Sequence, residues 1–212
     1  MVVRIPEKHD PLRLAVLISG GGRTLLNLEE QIRLRLLPAT IVQVISSRSN
    51  VVGVDRARQR NLPVAVVDRQ THDDASFQDR LTELIADADL VCMAGFLSLW
   101  RIPENRLGTV INVHPALLPA FGGKGMFGMR VHRAVIDSGV KESGCSIHYC
   151  DNKYDHGPVI LQRRVAVSED ETPESLADKV FREECQAYPD VLEQFCRGEV
   201  PAMPKQGVDS FE

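Results

Sequence analysis

The apolar residues of this chain fall mainly into short continuous runs, at Leu12 to Ile18, Ile41 to Ile45, Val64 to Val67, Leu90 to Ala94 and Val110 to Val113. Between them lie stretches of helical period such as Leu25 to Leu36 and Ala75 to Ala86. A strand that is apolar at every position must be covered on both faces, and strands joined through helices pair in parallel. The pattern therefore predicts an α/β fold, a Rossmann-like, mostly parallel sheet with helices on both faces. Ligands of such sheets sit in the crevice beyond the strands' carboxyl ends. Two later strands are expected at Gly144 to Cys150 and Pro158 to Val167, then a last helix from Thr172-Pro173 to Gly198. There Thr caps, Pro occupies the first turn and Gly ends the helix. Residues 1–11 read as an N-terminal extension and 201–212 as a C-terminal tail around one domain, 12–200.

Composition narrows the function classes. At 212 residues and 43% hydrophobic content, the chain can bury one compact core but not two large ones. The net charge of -4, the absence of a polybasic run and 5% aromatic residues argue against a nucleic-acid surface. No apolar run approaches the ~20 residues of a membrane span, and the N-terminus, with Glu7, Lys8 and Asp10, lacks the shape of a signal peptide. A cytoplasmic protein acting on small molecules, as a monomer or homodimer, is expected. Cys92, Cys145, Cys150, Cys185 and Cys196 are odd in number and form no C-x-x-C pair, so reduced thiols are expected and a metal site is not.

The chemistry concentrates at one strand end and one loop. The run Leu107 to Val113 leads into Asn112-Val113-His114-Pro115, and residues two apart on a strand point the same way. Asn112 and His114 thus project together into the crevice. An amide can hold an oxygen that gains negative charge, and an imidazole moves protons near neutral pH. Asp155, in Asp155-His156-Gly157-Pro158, offers the carboxylate that orients such an imidazole and favours its charged form. Singly, each is more often a turn residue; together they point to acyl-transfer chemistry. A second candidate is Ser19-Gly20-Gly21-Gly22-Arg23-Thr24, which joins the first strand to a helix and faces backbone amides and a helix dipole outward, an arrangement suited to phosphate. It lacks the Gly-Lys-Thr of a P-loop and the third glycine of a dinucleotide fingerprint. A tight strand-to-helix turn would use the same glycines.

Five segments in unbroken order resemble the glycinamide ribonucleotide formyltransferases (phosphoribosylglycinamide formyltransferases) of purine synthesis, a folate-dependent family, across roughly Leu12 to Val200. They are Ser19 to Thr24, Ala94-Gly95-Phe96-Leu97, Asn112 to Pro119, Gly144 to His148, and Tyr154 to Gln162. The resemblance implies formyl transfer from the co-substrate 10-formyltetrahydrofolate to the ribonucleotide's amine, without metal. It implies Asn112, His114 and Asp155 as the catalytic trio. Gly22, Arg23 and Thr24 would hold the phosphate, and Glu184, before Tyr188-Pro189, the ribose or amine. Leu97, Ser98, Leu99 and Trp100, with Asn112, would flank the folate pterin, and His148 would stand behind the trio or serve as a core histidine.

The segment Phe121-Gly122-Gly123-Lys124-Gly125-Met126-Phe127-Gly128 is longer than the loop of many members. It is either a flexible surface insertion or, through Lys124, a further hand on the phosphate. The same chemistry serves formyltetrahydrofolate hydrolase, methionyl-tRNA formyltransferase and sugar-nucleotide formyltransferases. The first would need an extra N-terminal domain, and the second an extra barrel and a basic surface. A nucleotide- or folate-binding module that keeps the fold without catalysis is the alternative from another class.

Overall fold

The computed structural model describes residues 10–34 and 36–204. Most of the expected N-terminal extension and C-terminal tail lies outside the described residues. Five strands, β1 (Leu12–Ile18), β2 (Ala39–Ser46), β3 (Val64–Val66), β4 (Leu90–Met93) and β5 (Val110–His114), pair in parallel. Two further strands complete the sheet, β6 (Glu142–Tyr149) antiparallel to β5 and β7 (Val159–Ala166) antiparallel to β6. Among the described residues this gives a seven-stranded sheet of order β3-β2-β1-β4-β5-β6-β7. The order in which strands are added reverses at β1, whose neighbours are β2 on one side and β4 on the other. The crevice outside that point is where such sheets take ligands.

The predicted helices appear as α1 (Arg23–Arg33), α3 (Asp74–Leu84) and α5 (Pro173–Arg197). Two more, α2 (Val52–Gln59) and α4 (Met129–Ser138), fill segments for which the apolar pattern predicts no helix. Along β1, Leu14 and Val16 join a core with Leu28 of α1, Val135 of α4 and Val180 and Leu192 of α5. Ala15 and Leu17 face the opposite way, into a core with Phe77 and Leu81 of α3. The sheet is thus buried on both faces, as its continuous apolar strands require. The last helix starts as read: Thr172 accepts from the Ser175 N–H in a capping box with Pro at the first turn, and Gly198, at φ 68°, closes it. Tyr188 fastens α5 to the strand ends, its hydroxyl lying 3.1 Å from the Met93 carbonyl and 3.2 Å from that of Ile111. Glu184, one turn earlier, is thereby carried over the crevice.

Candidate active site

Strand β5 delivers Asn112 and His114, alternating with Ile111 and Val113 of the core. Register places His148 of β6 directly opposite Asn112. The His148 Nδ1 lies 2.8 Å from its own neighbour's carbonyl, on Tyr149, so that nitrogen carries the proton. Its Nε2 is then left to accept from the Asn112 amide N–H at 3.0 Å. Burial holds the His148 ring below its ordinary pKa, against the opposing pull of the Tyr149 carbonyl and Asp155, which suits this neutral form. The contact fixes which end of the Asn112 amide is nitrogen and leaves its second N–H free to point at a ligand.

The loop that follows His114 is pinned to the antiparallel edge of the sheet. Ser146 accepts from the Leu118 N–H at 3.0 Å and donates to the Ala116 carbonyl at 2.7 Å, while Gln162 donates to the Leu118 carbonyl at 2.9 Å. That bracing positions the Phe121 carbonyl 2.8 Å from His114 Nε2. On the other edge of the ring, Nδ1 stands 3.4 Å from Asp155 Oδ2. Both neighbours are acceptors, and the ring is held between them. At 3.4 Å the carboxylate contact is long for a hydrogen bond, and catalytic contacts of this kind tighten when substrate arrives.

Asp155 sits at φ 52°, a left-handed conformation uncommon for a residue with a side chain. Its surroundings hold it there. Asp151 and His156 pair at 2.6 Å across the loop, and Asn152 accepts from the Ile102 N–H at 2.7 Å. A Cβ on Gly157 would lie 2.0 Å from the Tyr149 carbonyl oxygen, so only glycine lets the loop pass β6. Burial alone would raise the Asp155 carboxyl. The hydrogen bond and charge of His114 and the Gly123 N–H at 3.0 Å outweigh it and leave the group below the ordinary carboxylate value, hence ionised.

Two cavities meet at this wall. The larger, of about 560 Å³, is lined by Arg23, Thr24, Leu97, Asn112, His114, Lys124, His132, Asp155 and Glu184 among others. The smaller, of about 60 Å³, is lined by Met93, Ser98, Leu99, Trp100, Asn112, His148, Tyr154 and Asp155 among others. Asn112 and Asp155 border both. The structure therefore brings together Asn112, His114, His148 and Asp155, with Arg23, Thr24 and Glu184 on one side and Ser98, Leu99 and Trp100 on the other. Two residues stand differently from the sequence reading. Gly22 is the left-handed N-cap of α1, at φ 69°, and offers backbone rather than cavity surface. Trp100 is a core residue at 1% exposure, packed beneath α3 with its indole N–H 3.4 Å from the Thr82 hydroxyl, so its ring reaches the small cavity only by an edge.

The wall of the large cavity formed by α1 and α5 has a different character. Arg23 lies over the Phe181 ring at 3.8 Å and 3.5 Å from Asp178, so its guanidinium is already held. Glu184 has no hydrogen-bonding or ionic partner among the described residues. Burial pushes its carboxyl up to about 7, against the pull of His114 and Arg23. The glycine-rich segment is not a detached insertion: Gly123 to Gly128 lines the cavity and brings Lys124 to it. Ser19 ties the first loop to the other side, accepting from the Leu97 N–H at 2.9 Å and meeting the Ser47 hydroxyl at 2.6 Å. His132, on α4, escaped the sequence reading, because a histidine beside Val131 on a helix reads as core.

Among the described residues, no group of three or more His, Cys, Asp or Glu side chains is arranged to hold a metal ion, and no helix is long and apolar enough to cross a membrane. All five cysteines are free thiols.

The formyl transferase family model matches residues 12–192. A chloroplastic phosphoribosylglycinamide formyltransferase of Arabidopsis thaliana is 34% identical over 90% of this chain and 68% of its own length. Its counterpart in Vigna unguiculata is 36% identical, over 87% of this chain and 61% of its own length. The chain thus spans about two thirds of the length of these plant relatives. Among solved structures, glycinamide ribonucleotide transformylase 1 from Symbiobacterium toebii superposes with a TM-score of 0.83 at 32% identity, covering 92% of this chain and 95% of that one.

Proposed function

The chain belongs to the formyltransferase family, on its phosphoribosylglycinamide branch, and from that membership we propose that it transfers the formyl group of 10-formyltetrahydrofolate to the amine of 5'-phosphoribosylglycinamide. The products are 5'-phosphoribosyl-N-formylglycinamide and tetrahydrofolate, a step of de novo purine synthesis. The observation that carries the reading is the convergence of Asn112, His114 and Asp155 on the partition between two cavities. A group transferred from a ligand on one side to a ligand on the other must cross there.

The larger cavity takes the ribonucleotide. Its phosphate meets the N-terminus of α1 at Gly22 to Thr24, with Lys124 as a further cation, and its amine or ribose hydroxyls satisfy Glu184. The smaller cavity takes the pterin, against Ser98 and Leu99 with Met93 at its side, and Leu97 borders the larger cavity next to it. Its apolar side chains fit a flat heterocycle. Bound there, the folate supplies the formyl carbon and the nitrogen it leaves.

The amine attacks the formyl carbon, forming a C–N bond and placing negative charge on the formyl oxygen. The free Asn112 N–H stabilises that oxygen, with His114 beside it. Asp155, ionised, orients the His114 ring. The bond from carbon to the folate nitrogen then breaks, and one amine proton ends on that nitrogen, relayed through His114 or a water held by Asp155. His148 is a positioning residue, acting through the Asn112 amide. Residues 12–200 form the catalytic unit, and the five reduced thiols fit a cytoplasmic setting.

The test follows the absorbance of 10-formyltetrahydrofolate as it becomes tetrahydrofolate. Turnover should require the ribonucleotide. Turnover without it would instead make the chain a hydrolase, and binding of either ligand with no turnover would make it a binding module.

A further inference from the structure

His132 stands in the wall of the large cavity, yet no step above uses it. It projects from the first turn of α4, four residues after the Gly128 N-cap, and helix side chains lean back toward that end. At 5% exposure the ring is almost wholly buried. Its Nδ1 is sealed from solvent and has no hydrogen-bond partner among the described residues. His132 lines the cavity while its Nδ1 is shut away from it, so the other edge of the ring, Nε2, is the one open to a ligand. Burial, reinforced by the charge of His114, holds the ring below its ordinary pKa and therefore neutral.

A neutral imidazole distinguishes among the parts of a ribonucleotide. The phosphate carries full negative charge and has better partners in the α1 N-terminus, Arg23 and Lys124 on the same cavity. The amide and ribose hydroxyl groups are neutral and hydrogen-bonding, and they match an imidazole with one donor and one acceptor nitrogen. Resting on the function proposed above, we infer that His132 is a specificity-determining residue of the formyl acceptor site, hydrogen-bonding the uncharged glycinamide-ribose part of the ribonucleotide. It completes a set in which the phosphate is read by cations, and the uncharged part by Glu184 and His132. A site that makes a hydrogen bond to a substrate discriminates strongly against analogues lacking the partner group.

The experiment measures kcat and both KM values for His132→Ala and His132→Gln beside the unaltered enzyme. For His132→Ala the ribonucleotide KM should rise about 10-fold or more, while kcat and the folate KM stay within about 3-fold. Glutamine, which keeps one donor and one acceptor, should recover most of the loss. An unchanged ribonucleotide KM, or a fall in kcat alone, would overturn the inference. If the variants do not fold, imidazole ¹⁵N spectra of the unaltered protein decide. The His132 ring signals should shift on saturation with the ribonucleotide and stay put with inorganic phosphate alone; the reverse pattern, or no shift with either, overturns it. Absence of turnover by the unaltered enzyme with the ribonucleotide would fail the proposed reaction instead, and the ring titration would still read His132.

Discussion

The two walls of the crevice are built from opposite principles. On the β5–β6 side each polar side chain is held by a protein partner, Asn112 by His148, His114 by Phe121 and Asp155, and Asp155 by Gly123, with one Asn112 N–H left for the ligand. On the α4–α5 side Glu184 and His132 are buried without hydrogen-bond partners among the described residues. The first wall is rigid before any ligand arrives, as a site that stabilises developing charge must be. The second is left unsatisfied, so the ligand supplies the missing hydrogen bonds and the free energy they bring becomes affinity. The contrast predicts that substitutions on the first wall act on kcat and those on the second on KM.

The largest effect is expected at His114. Replacement by Ala should lower kcat by roughly 10³-fold with the fold intact, measured by turnover and thermal melting together. Asp155→Asn should follow at about 10²-fold in kcat, since the His114 ring loses the ionised partner that orients it. A fully active variant would remove Asp155 from the mechanism. On the opposite wall, Glu184→Gln should raise the ribonucleotide KM by about 10-fold and leave kcat nearly unchanged.

Glu184 also sharpens the comparison through stability without ligand. Its folded pKa, about 7, lies above its ordinary value of 4.5, so between those values the folded state holds more protons than the unfolded state. Stability should therefore fall as pH rises through that window, by at most about 3 kcal/mol at ~1.4 kcal/mol per unit. In Glu184→Gln that fall should be absent, as read by denaturant titrations at pH 5 and pH 8. The smallest effect is expected at Lys124, on a mostly exposed loop. Lys124→Ala should raise the ribonucleotide KM by about 3-fold at low ionic strength and by less in ~0.5 M salt, where screening removes the charge contribution.

What could be read from the sequence divides along the same line. The strands of the parallel sheet announce themselves because burial on both faces makes them continuously apolar. Asn112 and His114 follow from alternation on β5, and α5 from its cap, first-turn proline and terminal glycine. The pairing of Asn112 with His148 needs the β5–β6 register, which no local pattern carries. The left-handed backbone at Asp155 depends on contacts of Gly157 with β6 and of Asn152 with Ile102. Trp100 reads as a ligand platform beside Leu99, yet its ring belongs to the core under α3, because burial of so large a surface outweighs its neighbours' exposure. His132 could not be told from a core histidine until the structure placed it in the cavity wall.

The division of labour is tested most directly by one paired measurement, the full kcat and KM analysis of Asp155→Asn and Glu184→Gln under identical conditions. The account predicts that the first loses kcat with its ribonucleotide KM nearly unchanged, and that the second raises the ribonucleotide KM with kcat nearly unchanged. A Glu184→Gln enzyme that loses kcat as Asp155→Asn does, at unaltered KM, would contradict it.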